Sequence, residues 1–116
     1  MVRILVLEDD PNRIADFISN YVDFDLTIAH NVNQANNIVK NNPTFDVMFL
    51  DHDIEGDDKS GYDFARNMTL NLHDKMPETI IIHSLNPVGA QNISEAFIKK
   101  AIKVPFAWKQ CIIKIE

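Results

Sequence analysis

Two short polar clusters carry most of the chemistry in this sequence, Glu8-Asp9-Asp10 and Asp51-His52-Asp53, and each directly follows an apolar run. Two carboxylates 4 Å apart repel by ~4 kcal/mol at an effective dielectric of 20. If the fold brings such clusters together, they need a cation or must stay partly protonated. All-oxygen ligands on a rim open to water suit Mg²⁺ (or Mn²⁺), which keeps several waters and accepts a phosphate oxygen. A third cluster, His83-Ser84-Leu85-Asn86-Pro87-Val88-Gly89, and the later Lys109 complete the set. The lysine offers a fixed positive charge to the same phosphate. Histidine is the side chain type suited to proton transfer near neutrality, so His52 and His83 suit a general base and a general acid flanking a phosphodiester. The bland alternative is that the acids are solvated helix caps and each imidazole is bonded to backbone at the core edge.

The elements that must position these groups alternate. Arg3-Ile-Leu-Val-Leu7 reads as a strand buried on both faces. Asp10 and Pro11 then open a helix through Ile14, Phe17, Ile18 and Tyr21. Phe24–Ile28 alternates like an edge strand, and Asn31 with Gln34 starts a second helix through Val32, Ala35, Ile38 and Val39. Asp46–Leu50 is a third strand, Glu55 to Lys59 a loop, and Ser60 with Asp63 marks a helix burying Phe64, Ala65, Met68 and Leu72. Thr79–His83 is a β-branched fourth strand, and Asn86-Pro87 opens a helix through Ile93, Ala96, Phe97 and Ala101. Val104 to Trp108 reads as a fifth strand, with Pro105 pointing to an edge.

Such alternation implies an α/β fold with a parallel sheet covered on both faces, and ligands then bind beyond the carboxyl ends of the strands. The three clusters and Lys109 all fall on that rim. Gly89, in the first turn of its helix, costs ~1 kcal/mol relative to alanine, so it either admits an anion to the helix terminus or packs closely against a loop. Asn86 caps the same helix. His30 and His73 read as solvated surface, and Asp57 and Asp58 as exposed loop charges.

With 116 residues, 46% hydrophobic and 24% charged, the chain reads as one domain over 1–116. The single cysteine, Cys111, excludes a disulfide scaffold and a cysteine zinc cluster and fits a reducing cytoplasm. The formal charge of −6 argues against general duplex DNA binding, which needs a basic face. No apolar run approaches the ~20 residues of a membrane helix, and the acidic turn at Glu8 comes too early for a signal peptide.

Ile4-Leu-Val-Leu-Glu-Asp-Asp-Pro11 resembles the opening of bacterial response-regulator receiver domains, and Asp46-Val-Met-Phe-Leu-Asp51 resembles their third strand, which ends in the phospho-accepting aspartate. Ser84 matches their hydroxyl residue after strand four and Lys109 their lysine after strand five. The resemblance implies a flavodoxin-like, doubly wound sheet of order 2-1-3-4-5, with Mg²⁺ on Glu8, Asp9, Asp51 and the Asp53 carbonyl. The departures matter as much. His52-Asp53-Ile54 replaces the usual hydrophobic residue and proline, Gly61 lies about three residues late, and the fifth helix is expected to be missing. Leu-Asp-His-Asp with a downstream His-Ser-x-Asn-Pro-x-Gly is similar to a divergent receiver-like family proposed to process cyclic phosphates.

The sequence therefore predicts a metal-dependent phosphoesterase acting on a cyclic or terminal phosphate of a nucleotide or RNA end. Glu8, Asp9, Asp51 and Asp53 would bind the metal. Ser84, Asn86, Gly89 and Lys109 would orient the phosphate, and His52, His83, Asp51 and Lys109 would act in catalysis. Strand parity predicts that His52 and His83 are neighbours, if Asp51 and Ser84 share a face. The alternatives are a receiver phosphorylated on Asp51 by a histidine kinase, and a degenerate receiver that binds a protein partner.

Overall fold

Arg3–Leu7 forms β1 and, apart from Arg3, is fully buried, as a purely apolar run flanked by strands on both sides must be. The computed structural model describes residues 1–97 and 101–103. In chain order the remaining elements are α1 (Pro11–Asn20), β2 (Asp25–Ala29), α2 (Val32–Asn41), β3 (Val47–Leu50), α3 (Gly61–Asn71), a 3₁₀ turn (His73–Lys75), β4 (Thr79–Ile82), α4 (Pro87–Ala96) and β5 (Ile102–Lys103). All strand pairs are parallel, in the order β2-β1-β3-β4-β5, which is the expected doubly wound arrangement.

The alternation of side chains divides the core in two. Leu5, Leu7, Met48, Leu50, Ile80 and Ile82 face α2, α3 and α4, and join Val39, Phe64 and Ile93 in the larger cluster. Ile4, Val6, Val47, Phe49 and Ile81 face α1 and pack on Phe17 and Tyr21. Each fully buried side chain of this size stabilises the fold by ~1.5–3 kcal/mol over its exposed state. Phe17 and Phe49 meet edge to face at 5.0 Å, and that contact holds α1 against the sheet next to the rim.

The helix starts follow local chemistry. Asp10 accepts from Arg13 N (2.9 Å) ahead of Pro11, and Asn31 accepts from Gln34 N (2.8 Å). Ser60 N donates to Asp63 (2.7 Å), and Asn86 accepts from Gly89 N (3.0 Å). Strands β2, β3 and β4 lie within a residue of expectation, and the larger differences come later in the chain. Helix α4 ends at Ala96 rather than near Ala101, because the chain must reach β5 at Ile102, opposite Ile81. Strand β5 is described over Ile102–Lys103; the strand expected over 104–108, Lys109 and the expected loss of a fifth helix lie outside the described residues. Among the described residues no helix is long and apolar enough to cross a membrane.

Candidate functional site

The site is built on the ends of β1, β3 and β4. Glu8 continues β1 and is fully buried, with its N–H donating to Ala29 O (3.0 Å). Its carboxylate is held from four directions. Oε2 accepts from the backbone N–H groups of Asp9 and Asp10, both at 3.0 Å, and from Arg13 Nη2 at 3.1 Å. Oε1 accepts from Arg13 Nε at 2.7 Å and lies 2.9 Å from His83 Nε2. Burial pushes the Glu8 carboxyl up, but the bonds from His83, Arg13 and the backbone outweigh it and bring it down to about 2. Glu8 is therefore ionised at neutral pH, and His83 Nε2 carries the shared hydrogen.

Asp51 continues β3 and is only 4% exposed. Its Oδ1 accepts from His52 N (2.9 Å), and Arg13 Nη2 stands 3.4 Å from Oδ2. Burial, followed by the neighbouring Glu8 charge, raises its pKa above the usual carboxylate value. Glu8, Asp51 and His83 each offer a ligand atom within 4.8 Å of the others, the one such group among the described residues. Asp51, a buried carboxylate short of compensating charge, fits a hard divalent cation, whereas both Glu8 oxygens are already engaged by Arg13, His83 and backbone N–H groups. Asp9 and Asp53 lie outside that group. Asp9 Oδ2 accepts from Glu55 N (2.7 Å), and Asp53 is occupied by His52 and Asn86.

The two histidines are separated, which corrects the expected pairing. Leu50 pairs with Ile82, so His83, not Ser84, stands level with Asp51. His83 follows Ile81 onto the α1 face, where its ring lies 5.1 Å from that of Phe17 and 6.4 Å from that of Phe49. His52 turns to the other face and lies over the first turn of α4. A Cβ on Gly89 would come within 2.3 Å of His52 Cγ, so glycine is needed there by the imidazole. Gly61 plays the matching part below, since a Cβ on it would meet Asp51 O at 2.0 Å. Ser84, buried, accepts from Asn86 N at 3.1 Å.

His52 Nδ1 lies 2.7 Å from Asp53 Oδ1, and Asn86 Nδ2 steadies the same carboxylate at 3.3 Å. The bond from His52 is the main reason the Asp53 carboxyl is held below its ordinary value. With Nδ1 committed as donor, Nε2 is the ring atom left to exchange a proton. His52 lines an open cleft of about 410 Å³ together with Asp9, Arg13, Asp53 and the 54–60 loop. Gly56, at φ +76°, makes the turn of that loop, with Asp57 N donating to Ile54 O (3.2 Å). Asp57 ties the loop down by accepting from Val32 N at the start of α2 (2.9 Å), so it is a structural pin rather than a loose charge.

Arg13 is the member of the site that the sequence reading missed. As the third residue of α1 it looks like an ordinary exposed helix position. The signal available was its spacing: a helix that turns back from a strand end lays its first turn over the residue that ended the strand.

Residues 3–99 match the family described as the cyclic-phosphate processing receiver domain. Among solved structures, the response regulator TrrA of Thermotoga maritima, in complex with Mg(2+)-BeF, superposes with a TM-score of 0.73 at 21% identity, covering 95% of this chain and 92% of that one. The receiver domain of the Francisella response regulator 1452 gives 0.73 at 19% identity, covering 98% and 93%. The BeF3-activated DrrB receiver domain gives 0.68 at 22%, covering 91% and 86%. No curated relative matches the chain. The likeness to these structures shows a receiver fold, and the family match shows that the chain belongs to the cyclic-phosphate processing receiver domains.

Proposed function

We propose that the protein is a metal-dependent phosphoesterase that processes a cyclic or terminal phosphate of a nucleotide or RNA end. The observation that supports this reading best is the His52–Asp53 pair (2.7 Å) on the wall of an open cleft, beside a buried acid pair. Receivers that only accept a phosphoryl group have no need of an oriented imidazole there. Asp51 and Asp9 would hold Mg²⁺ or Mn²⁺, since both Glu8 oxygens are engaged by Arg13, His83 and backbone N–H groups; the similar TrrA was solved in complex with Mg(2+)-BeF. When bound, the ion supplies charge neutralisation and polarises a phosphoryl oxygen.

The residues of the chain do the rest. His52 Nε2 takes a proton from the water that attacks phosphorus. An O–P bond forms, the ester P–O bond breaks, and the leaving oxygen is protonated from solvent through the open cleft. Asp53 holds the tautomer that makes Nε2 the base, and Asn86 holds Asp53. His83, buried against Glu8, positions that carboxylate. Lys109 is assigned to the phosphate side, whereas Asn86 and Gly89 serve the His52–Asp53 pair, the one by its bond to Asp53 and the other by leaving room for the ring. Incubation with 2′,3′-cyclic nucleotides and cyclic dinucleotides, with Mg²⁺ or Mn²⁺, is the test. Turnover above an Asp51→Asn control is expected; its absence with both substrate classes overturns the reading.

A second reading, phosphorylation of Asp51 by a histidine kinase, is favoured by Asp51 at the carboxyl end of β3 beside Glu8. It requires an acid-labile mass gain at Asp51 with acetyl phosphate and Mg²⁺.

A further inference from the structure

The cleft poses an electrostatic problem for any phosphate ligand. Six carboxylates line it, those of Asp9, Asp10, Asp53, Glu55, Asp57 and Asp58, against two cations, Arg13 and Lys59. Lys59 is directed elsewhere, since its Nζ donates to Asn33 Oδ1 on α2 (3.0 Å). Arg13 is different. Its side chain is 34% exposed at the cleft, yet its inner edge is fixed.

Nε and Nη2 make a parallel pair of bonds to the two Glu8 oxygens, at 2.7 and 3.1 Å, and Nη2 also approaches Asp51 at 3.4 Å. Glu8 cannot swing away, because His83 and the N–H groups of Asp9 and Asp10 hold it. A guanidinium carries five N–H groups in one plane. The acids use the Nε and Nη2 edge, and Nη1 has no protein acceptor among the described residues. A guanidinium anchored along one edge, on a side chain that lines the cleft, leaves Nη1 preorganised to donate to a phosphate oxygen.

We infer that Arg13 is a phosphate-binding residue of this site, held in place by Glu8 and presenting Nη1 to a phosphate monoester or diester in the cleft. The inference deepens the phosphoesterase reading and shares its premise that the cleft takes a phosphate. A merely structural Arg13 would neutralise Glu8 and Asp51 and do nothing more.

Inorganic phosphate, titrated in the presence of Mg²⁺, separates the two. In wild-type protein, the side-chain N–H resonances of Arg13 should shift on adding phosphate; unshifted resonances at saturation overturn the inference. Arg13→Lys keeps a positive charge but loses the fork, and should bind phosphate at least ~10-fold more weakly by calorimetry. Arg13→Ala should lose binding to a similar or larger extent and regain part of it with free guanidinium ion. Unchanged phosphate affinity in folded Arg13→Lys also overturns it, as does a guanidinium effect on stability alone. Phosphate binding that depends on Arg13 without turnover by wild type would count against the esterase reading alone. Turnover with Arg13-independent phosphate affinity would count against Arg13 alone.

Discussion

His83 Nε2 lies 2.9 Å from Glu8 Oε1, and neither side chain reaches solvent. This pair joins the core to the site, because the same imidazole lies edge-on to Phe17, and Phe17 packs α1 on the sheet. His83→Ala should therefore act mainly on stability. It removes one partner of a buried carboxylate and opens a cavity against Phe17, a loss of ~2–4 kcal/mol. His52→Ala, at a part-exposed imidazole, should change the melting midpoint little and lower phosphoesterase turnover by ~10²–10⁴-fold. Thermal melts and rates on both variants test this division; equal losses of turnover at equal stability would contradict it.

Acid should unfold the protein partly through Glu8. Its folded pKa, about 2, lies below its ordinary 4.5, so the stability it contributes is complete above pH 4.5 and lost as pH falls toward 2. The difference corresponds to ~3 kcal/mol. Asp51 works in the opposite sense. Burial and Glu8 raise its pKa, so its protonation on acidification relieves a cost of the folded state. Urea unfolding followed from about pH 2 to neutrality should accordingly show a shallower acid slope for wild type than for Asp51→Asn. Glu8→Gln should flatten the acid slope, leaving the part contributed by Asp53 and Asp57.

Much of this architecture is legible in single segments. The apolar run of β1, the Asp10-Pro11 and Asn86-Pro87 helix starts and the acids that follow β1 and β3 are local signals, and they put the polar clusters on one rim. The relation between His52 and His83 is not local. It depends on the offset between β3 and β4, and a slip of one residue exchanges the faces of every side chain. Nothing in Val47–Leu50 or Thr79–Ile82 favours one offset, since both strands are apolar on both faces. Expecting Ser84 level with Asp51 placed the imidazoles together; the observed Leu50–Ile82 pairing parts them. Arg13 and Asp57 escaped for a related reason, because their partners, Glu8 and Val32, are supplied by neighbouring elements of the fold.

The acid pair gives a metal test that does not depend on substrate. Asp51 is buried beside a like charge, which His83, Arg13 at 3.4 Å and the bond from His52 N only partly offset. Without divalent ions, Asp51→Asn should stabilise the fold at neutral pH by ~1 kcal/mol, a rise of a few degrees. Mg²⁺ or Mn²⁺ should raise the wild-type midpoint in proportion to the logarithm of its concentration and leave the variant unmoved. A variant that still responds to the ion would remove Asp51 from the ligand set.

Gly89 and His52 allow a prediction in which the sign of one substitution changes with its background. Alanine inside a helix is favoured over glycine by ~1 kcal/mol, so Gly89→Ala should stabilise α4 if nothing opposes the new methyl group. In wild type the His52 ring opposes it, with Cγ only 2.3 Å from where the Cβ would stand and Nδ1 only 2.6 Å away. The ring must move, and its bond to Asp53 moves with it, so Gly89→Ala should destabilise by ~1–3 kcal/mol, the usual cost of overpacking. In a His52→Ala background the obstacle is gone, and the same change should stabilise by up to ~1 kcal/mol. The interaction energy from the four proteins of this cycle should thus reach ~2 kcal/mol or more, well beyond the ~0.5 kcal/mol scatter of independent sites. Chemical denaturation of all four measures it. A cycle that closes near zero would mean that the His52 ring does not rest on α4, and the orientation assigned to it as the base would have to be given up.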